Sequence, residues 1–216
     1  MAHAAASSPG LALSGPVRDL PSLALARKAA SSESMDRATE LDQIKRAAAG
    51  DPDAVRAIVV GHTARLHALA FRMLQSAEDA EEVVQETFLR AWKVLPRWTA
   101  KAKLSTWLHR VALNLCYDRL RKRREYNVDE LPDMIDTSAR PGDALANRQK
   151  QAHVQAAVTD LPDRQRAAIT LCALEGHSNR EAAEILETSV EALESLLARA
   201  RRTLKTTLSA LWEEQI

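Results

Sequence analysis

Val55, Ile58, Val59, His62, Leu66, Leu69, Ala70 and Met73 recur at three- and four-residue spacing, which predicts a helix to about Leu74 with one buried stripe. Asp51-Pro52-Asp53 starts it, with a capping aspartate, a proline in the first turn and an acid near the positive helix end. A preceding helix runs from about Met35 to Ala49 and stops at Gly50. Ser76 opens a third helix, with Asp79 at the capping-box position. Its inward face is Ala80, Val83, Val84, Thr87, Phe88, Ala91 and Leu95, which leaves Glu78, Glu82, Gln85, Glu86 and Leu89 pointing outward together. After Pro96 and a short basic loop, a fourth helix begins at about Ser105. Leu104, Leu108, Val111, Leu115 and Leu120 suit its core side, and Arg110, Asn114, Tyr117 and Arg121 run along another face.

The pattern breaks at residues 125 to 143, which hold Pro132, Pro141 and Gly142 and turn acidic through Glu125, Asp129, Glu130, Asp133 and Asp136. That composition predicts a linker between two domains. Asp143 caps a helix to about Thr159, and LPDRQRAAITLCALEG forms another that Gly176 ends. Ser178 then caps the short helix NREAAEIL, ETS makes a tight turn, and VEALESLLARARRTLK forms a longer helix. Ala183 and Leu186 before the turn, with Leu193 and Leu196 after it, have the spacing of a helix-turn-helix crossing. An ordinary helical hairpin shares that spacing. Such turns favour glycine where this one has Glu187, and a left-handed backbone there costs a non-glycine residue roughly 1 to 2 kcal/mol unless the turn takes another shape.

No segment alternates like a strand, and aromatics are only 4% of the 216 residues. The fold class is therefore all-α, in two small helical domains. The expected boundaries are a tail at 1–34, a first domain at 35–124, the linker at 125–143 and a second domain at 144–212. The tail is rich in Ala, Ser and Pro, and Pro16, Arg18 and Asp19 interrupt any export signal, so it is expected to be disordered. No run has membrane-spanning length. Cys116 and Cys172 stand far apart in apolar patterns, as buried thiols in a reducing cytoplasm do. His3, His62, His67, His109, His153 and His177 show no metal-ligand spacing, so neither metal nor cofactor is expected. Without a glycine-rich phosphate loop or a nucleophile paired with a base, nothing points to catalysis.

The formal net charge of +1 hides two opposed surfaces. Glu78, Glu82 and Glu86 stand four apart, and like charges at that spacing cost a few tenths of a kcal/mol per pair. A solvated helix face and a face presented to a basic partner both fit them. Between residues 97 and 124, Arg97, Lys101, Lys103, Arg110, Arg119, Arg121, Lys122, Arg123 and Arg124 oppose Asp118 alone. A basic helix end would read the same way. Trp98, Trp107 and Tyr117 interleaved with the cations favour nucleic acid, since aromatics hold unstacked bases.

Taken in order, these segments resemble the extracytoplasmic-function family of bacterial sigma factors, from about residue 50 to 208. Glu82-Val83-Val84-Gln85-Glu86 is similar to the family's D-L-V-Q-E stretch in region 2.2. Trp107-Leu108 through Asn114 and Asp118 is similar to its W-L-x-x-I-A-x-N-x-x-x-D run in regions 2.3 and 2.4. Leu161-Pro162, Glu175-Gly176, Ser178 and Arg199-Ala200-Arg201 match the L-P, E-G-x-S and R-A-R landmarks of region 4.

The resemblance implies a cytoplasmic promoter-specificity subunit without enzymatic activity. Glu82, Gln85, Glu86 and Leu89 would meet the clamp of the largest subunit of core RNA polymerase. Arg97, Trp98, Lys101, Lys103, Trp107, Arg110, Asn114 and Arg121 would hold the minus-ten promoter DNA. Ser189, Glu194, Ser195, Arg199 and Arg202 would read the minus-thirty-five element. An anti-sigma factor would be a further partner, and the acidic linker would thread toward the polymerase active-site channel. The loop Thr99-Ala100-Lys101-Ala102 lacks the polar residues common in the family, and Glu191 and Glu194 stand where relatives often carry cations. Two rival readings are a free-standing helix-turn-helix regulator and a helical adaptor that binds only proteins.

Overall fold

Asp51 Oδ1 accepts the backbone N–H groups of Asp53 at 2.9 Å and Ala54 at 3.3 Å, so the aspartate caps the helix that the sequence starts there. The computed structural model describes residues 37–99, 102–126 and 153–213. Met35, the N-terminal tail, Lys101, the acids Asp129, Glu130, Asp133 and Asp136, and the start of the helix expected from Asp143 lie outside the described residues.

Among the described residues the N-terminal unit holds α1 (Arg37–Ala48), α2 (Pro52–Leu74), α3 (Ala77–Val94) and α4 (Leu104–Tyr126), with a 3₁₀ turn at Leu95–Arg97. Gly50 lies at φ +88° between α1 and α2, where a side chain would be strained. Every residue placed on the inward face of α3 is buried, because a 3.6-residue period puts those seven positions on one side. They meet Leu66, Leu69 and Met73 of α2 and Leu104, Leu108 and Leu113 of α4 in one cluster. Val111 and Leu120, expected on the core side, are partly buried at its margin.

The C-terminal unit contains a helix over 153–159 (α5), α6 (Asp163–Ile169) extended by a π-helical turn at Thr170–Leu174, α7 (Asn179–Ile185) and α8 (Val190–Glu213). The regular helix expected through Leu174 is thus widened in its last turn: the N–H of Glu175 reaches the Thr170 carbonyl at 2.9 Å. α7 carries a full capping box between Ser178 and Glu181. Glu187 does adopt the left-handed backbone, at φ +50°. Ala183, Leu186 and Leu193 are buried as expected. Leu197 is the second buried contact of α8, and Leu196 is only half-buried.

The two units pack together. Arg166 of α6, 8% exposed, donates Nη1 to the Met73 carbonyl at the end of α2 (2.7 Å) and Nη2 to the carbonyls of Leu161 (3.1 Å) and Thr159. The apolar cluster continues across this junction. Among the described residues the structure is all-helical, and no helix is long and apolar enough to cross a membrane.

Candidate functional site

Ser76 Oγ accepts the Asp79 N–H at 3.2 Å and fixes the start of α3. From that start, Glu82, Gln85 and Leu89 are exposed on one face, with Glu86 half-exposed beside them. Leu89 is 54% exposed, a large apolar side chain among carboxylates. These four residues wall one side of a groove of about 520 Å³, and Leu115, Asp118, Arg119 and Lys122 of α4 wall the other. The face also carries cations of its own. Arg119 donates to Glu82 Oε2 at 3.0 Å and lies 3.6 Å from Asp79, and Arg90 donates to Glu86 Oε1 at 2.8 Å. The Arg90 hydrogen bond holds the Glu86 carboxyl below its ordinary range.

The basic segment divides into three groups instead of forming one patch. Arg119 and Arg123 anchor α4 inside the N-terminal unit; Arg123 donates to the Leu74 carbonyl at 2.8 Å and pairs with Asp79. Arg97, Asn114, Arg121 and Lys122 are exposed, with Arg121 held to Asp118 at 3.1 Å. Lys103, Arg110 and Arg124 turn toward the C-terminal unit. The Lys103 ammonium is 3.0 Å from Glu181, Arg110 is 3.1 Å from the Glu187 carboxylate and donates to the Glu184 carbonyl at 2.8 Å, and Arg124 pairs with Asp163. Burial alone would raise the Glu181 carboxyl, yet the hydrogen bonds from Lys103 and Ser178 outweigh it and draw the group down to about 2.

Trp98 and Trp107 meet edge to face with centroids 5.9 Å apart, and both rings lie partly against the core. Tyr117 departs from the outward face expected for it. It is half-buried, its hydroxyl is enclosed without a partner, and burial pushes its phenol up. An aromatic at the edge of a 3.6-residue stripe can fall on either side, and here the larger apolar contact is inward.

On α8, Ser189 Oγ accepts the Ala192 N–H at 3.2 Å and so caps the helix. Glu194 accepts from Asn179 at 3.2 Å, which fastens α7 to α8. Glu194, Ser195, Arg199 and Arg202 are exposed along α8, so the five candidate minus-thirty-five residues share one accessible helix and its cap. Cys116 is buried and its thiol is pushed up to about 12 by burial. Cys172 is only half-buried.

One constellation escapes sequence spacing. His109 of α4, Glu175 after the π-helical turn and His177 converge at the junction of the two units, their ligand atoms all within 4.8 Å of one another. The pairing spans 66 residues from His109 to Glu175, so no local motif announces it.

Residues 58–126 match the Sigma-70 region 2 family and residues 152–204 the Sigma-70, region 4 family. The chain is 36% identical over 166 residues to the ECF RNA polymerase sigma factor SigG of Mycobacterium tuberculosis, a match covering 65% of this chain and 45% of that protein. It thus spans less than half the length of that relative. It is 31% identical over 180 residues to the ECF RNA polymerase sigma factor SigW of Bacillus subtilis, covering 78% of this chain and 96% of that one. Among solved structures it is similar to CnrH in complex with the cytosolic domain of CnrY, at 30% identity and a TM-score of 0.62, covering 79% of this chain and 97% of that one. It is also similar to the sigma factor RpoE in complex with the anti-sigma factor NepR from Bartonella quintana, at 26% identity and a TM-score of 0.55, covering 71% and 94%.

Proposed function

This chain belongs to the extracytoplasmic-function family of RNA polymerase sigma factors, and from that premise we propose that it binds core polymerase, opens promoter DNA and directs initiation in the cytoplasm. The observation that carries the reading is the groove between α3 and α4, where Glu82, Gln85, Glu86 and the exposed Leu89 line one wall. A basic helical element of the polymerase clamp offers cations to the carboxylates and an apolar contact to the leucine. Charge complementarity of that kind speeds association and fixes register.

Arg97, Trp98, Lys101, Lys103, Trp107, Arg110, Asn114 and Arg121 then hold the minus-ten element. Extruding a base costs a few kcal/mol, and phosphate contacts with aromatic stacking offset it. Ser189, Glu194, Ser195, Arg199 and Arg202 face the minus-thirty-five element, where a helix-turn-helix lays its second helix in the major groove. Glu191 and Glu194 lower the phosphate attraction of that helix, while Glu194 suits a cytosine amino group. The proposed domains, 35–124 and 144–212, are joined by the acidic linker, into which α4 continues as far as Tyr126. An anti-sigma factor restrains the protein until a stress signal releases it.

Run-off transcription with purified core polymerase on a genomic promoter pool tests this reading. Promoter-specific transcripts that require both the chain and core enzyme are the expected result. Specific DNA binding by the chain alone, undiminished without core, would favour a free-standing regulator instead.

A further inference from the structure

His109 is 1% exposed, and its Nδ1 lies 2.7 Å from the Ser105 carbonyl oxygen. A carbonyl only accepts, so Nδ1 carries the proton. In the neutral ring that leaves a lone pair on Nε2. Nε2 has no hydrogen-bond partner and faces Glu175 Oε2, also buried and without one, at 3.6 Å. His177 Nε2 stands 3.6 Å from the same oxygen. Glu175 Oε2 thus faces the Nε2 atoms of both imidazoles at the same distance. The other carboxylate oxygen, Oε1, lies 3.5 Å from Arg72, which fixes the orientation of the group.

We propose that His109, Glu175 and His177 form a divalent transition-metal site, of the class that takes Zn²⁺ or Co²⁺, which clamps the C-terminal unit onto the N-terminal one. Ligands at about 2.1 Å in a tetrahedron stand about 3.4 Å apart, and two edges of this triangle already measure 3.6 Å. Two imidazoles and one carboxylate are a donor set that suits zinc, with a fourth position left for water. The Nδ1 contact to Ser105 is the outer-shell hydrogen bond that orients a ligating histidine. Widening of the helix at Thr170–Leu174 brings Glu175 and His177 to the same side of the junction. Arg65 and Arg72 border the cluster, and their charge opposes an imidazolium as it opposes a metal ion. Only the metal gains three lone pairs in return.

Because the ligands come from both units, the ion favours the packed arrangement in which Lys103 and Arg110 are engaged by Glu181, Glu184 and Glu187. The effect on promoter binding rests on the function proposed above, whereas the site itself does not.

The test is a Co²⁺ titration of the chelator-treated full chain, followed by visible absorption and by competition with Zn²⁺. One Co²⁺ per chain, with the intense bands of a four-coordinate ion and displacement by Zn²⁺, is expected. Glu175→Gln, which keeps the shape of the side chain, and His177→Ala, at a half-buried position, should each weaken binding by at least ~10-fold with the helical circular dichroism unchanged. His67→Ala and His153→Ala should leave it intact. No saturable binding, or binding that survives both ligand variants, overturns the site whether or not the chain proves to initiate transcription. An intact site in a chain without promoter activity would instead count against the proposed function alone.

Discussion

Arg110 on α4 reaches Glu187 at the turn of the helix-turn-helix, Nη1 to carboxylate 3.1 Å, while its Nη2 donates to the Glu184 carbonyl at 2.8 Å. A side chain proposed for the minus-ten element is thus held by the segment that leads into α8. Lys103 repeats the relationship with Glu181 at 3.0 Å. If these cations hold phosphate as proposed, the carboxylates of Glu181 and Glu187 compete with DNA for them.

Both ion pairs are partly exposed, and such pairs contribute about 0–1 kcal/mol each. Replacing Glu181 and Glu187 together by Gln should therefore strengthen binding of a single-stranded minus-ten oligonucleotide by roughly two- to tenfold, read by fluorescence anisotropy at fixed salt. Arg110→Ala should weaken it in the same assay. Equal affinities for all three proteins would show that the junction does not compete with DNA.

Glu187 pays for its left-handed φ of +50° with about 1 to 2 kcal/mol, more than a partly exposed ion pair returns. Glu187→Gly should raise the stability of the chain by about 1 kcal/mol, measured as a shift of the urea midpoint at unchanged slope. A lower midpoint would mean that the contact to Arg110 outweighs the backbone strain.

Arg166 is buried and satisfies carbonyls at the ends of α2 and α5. Arg166→Lys supplies a charge but not a planar fork, so at least one carbonyl loses its donor at a cost of about 1–3 kcal/mol. Denaturant unfolding of the variant should show that loss. Full retention of stability would mean that water replaces the guanidinium.

Burial, with repulsion from His109 and Arg65, lowers the His62 imidazole from 6.5 to about 4. The folded chain therefore binds fewer protons than the unfolded chain between those values. Stability is fully present above pH 6.5 and is lost as pH falls toward 4, by at most about 3 kcal/mol. His62→Asn should flatten the pH dependence of the thermal midpoint across that window. A slope identical to the parent's would place the acid sensitivity elsewhere.

The start of α2 at Asp51, the inward face of α3 and the cap at Ser178 were readable because each depends on neighbours within four residues. The divided fate of the cations between 97 and 124 was not. Whether an arginine on α4 meets solvent, as Arg121 does, or anchors on Asp79, as Arg123 does, depends on how separate helices pack. Tyr117 and Leu196 show the same limit at the edges of amphipathic stripes, where one rotation of about 100° exchanges two neighbours. The widened turn at Thr170 left no trace in the pattern because TLCAL is as apolar as a regular helix would be. The convergence of His109 with Glu175 and His177 depends in turn on the docking of one unit against the other.

The carboxylates of α3 are proposed to grip the polymerase. The most direct measurement of that grip is the affinity of core enzyme for the Glu82→Lys, Glu86→Lys chain, with circular dichroism confirming the fold because the reversal also places lysines beside Arg119 and Arg90. A loss of roughly 100-fold or more is expected, as when close charge pairs across an interface are reversed, with no run-off product. Undiminished core binding and initiation by that chain would contradict it.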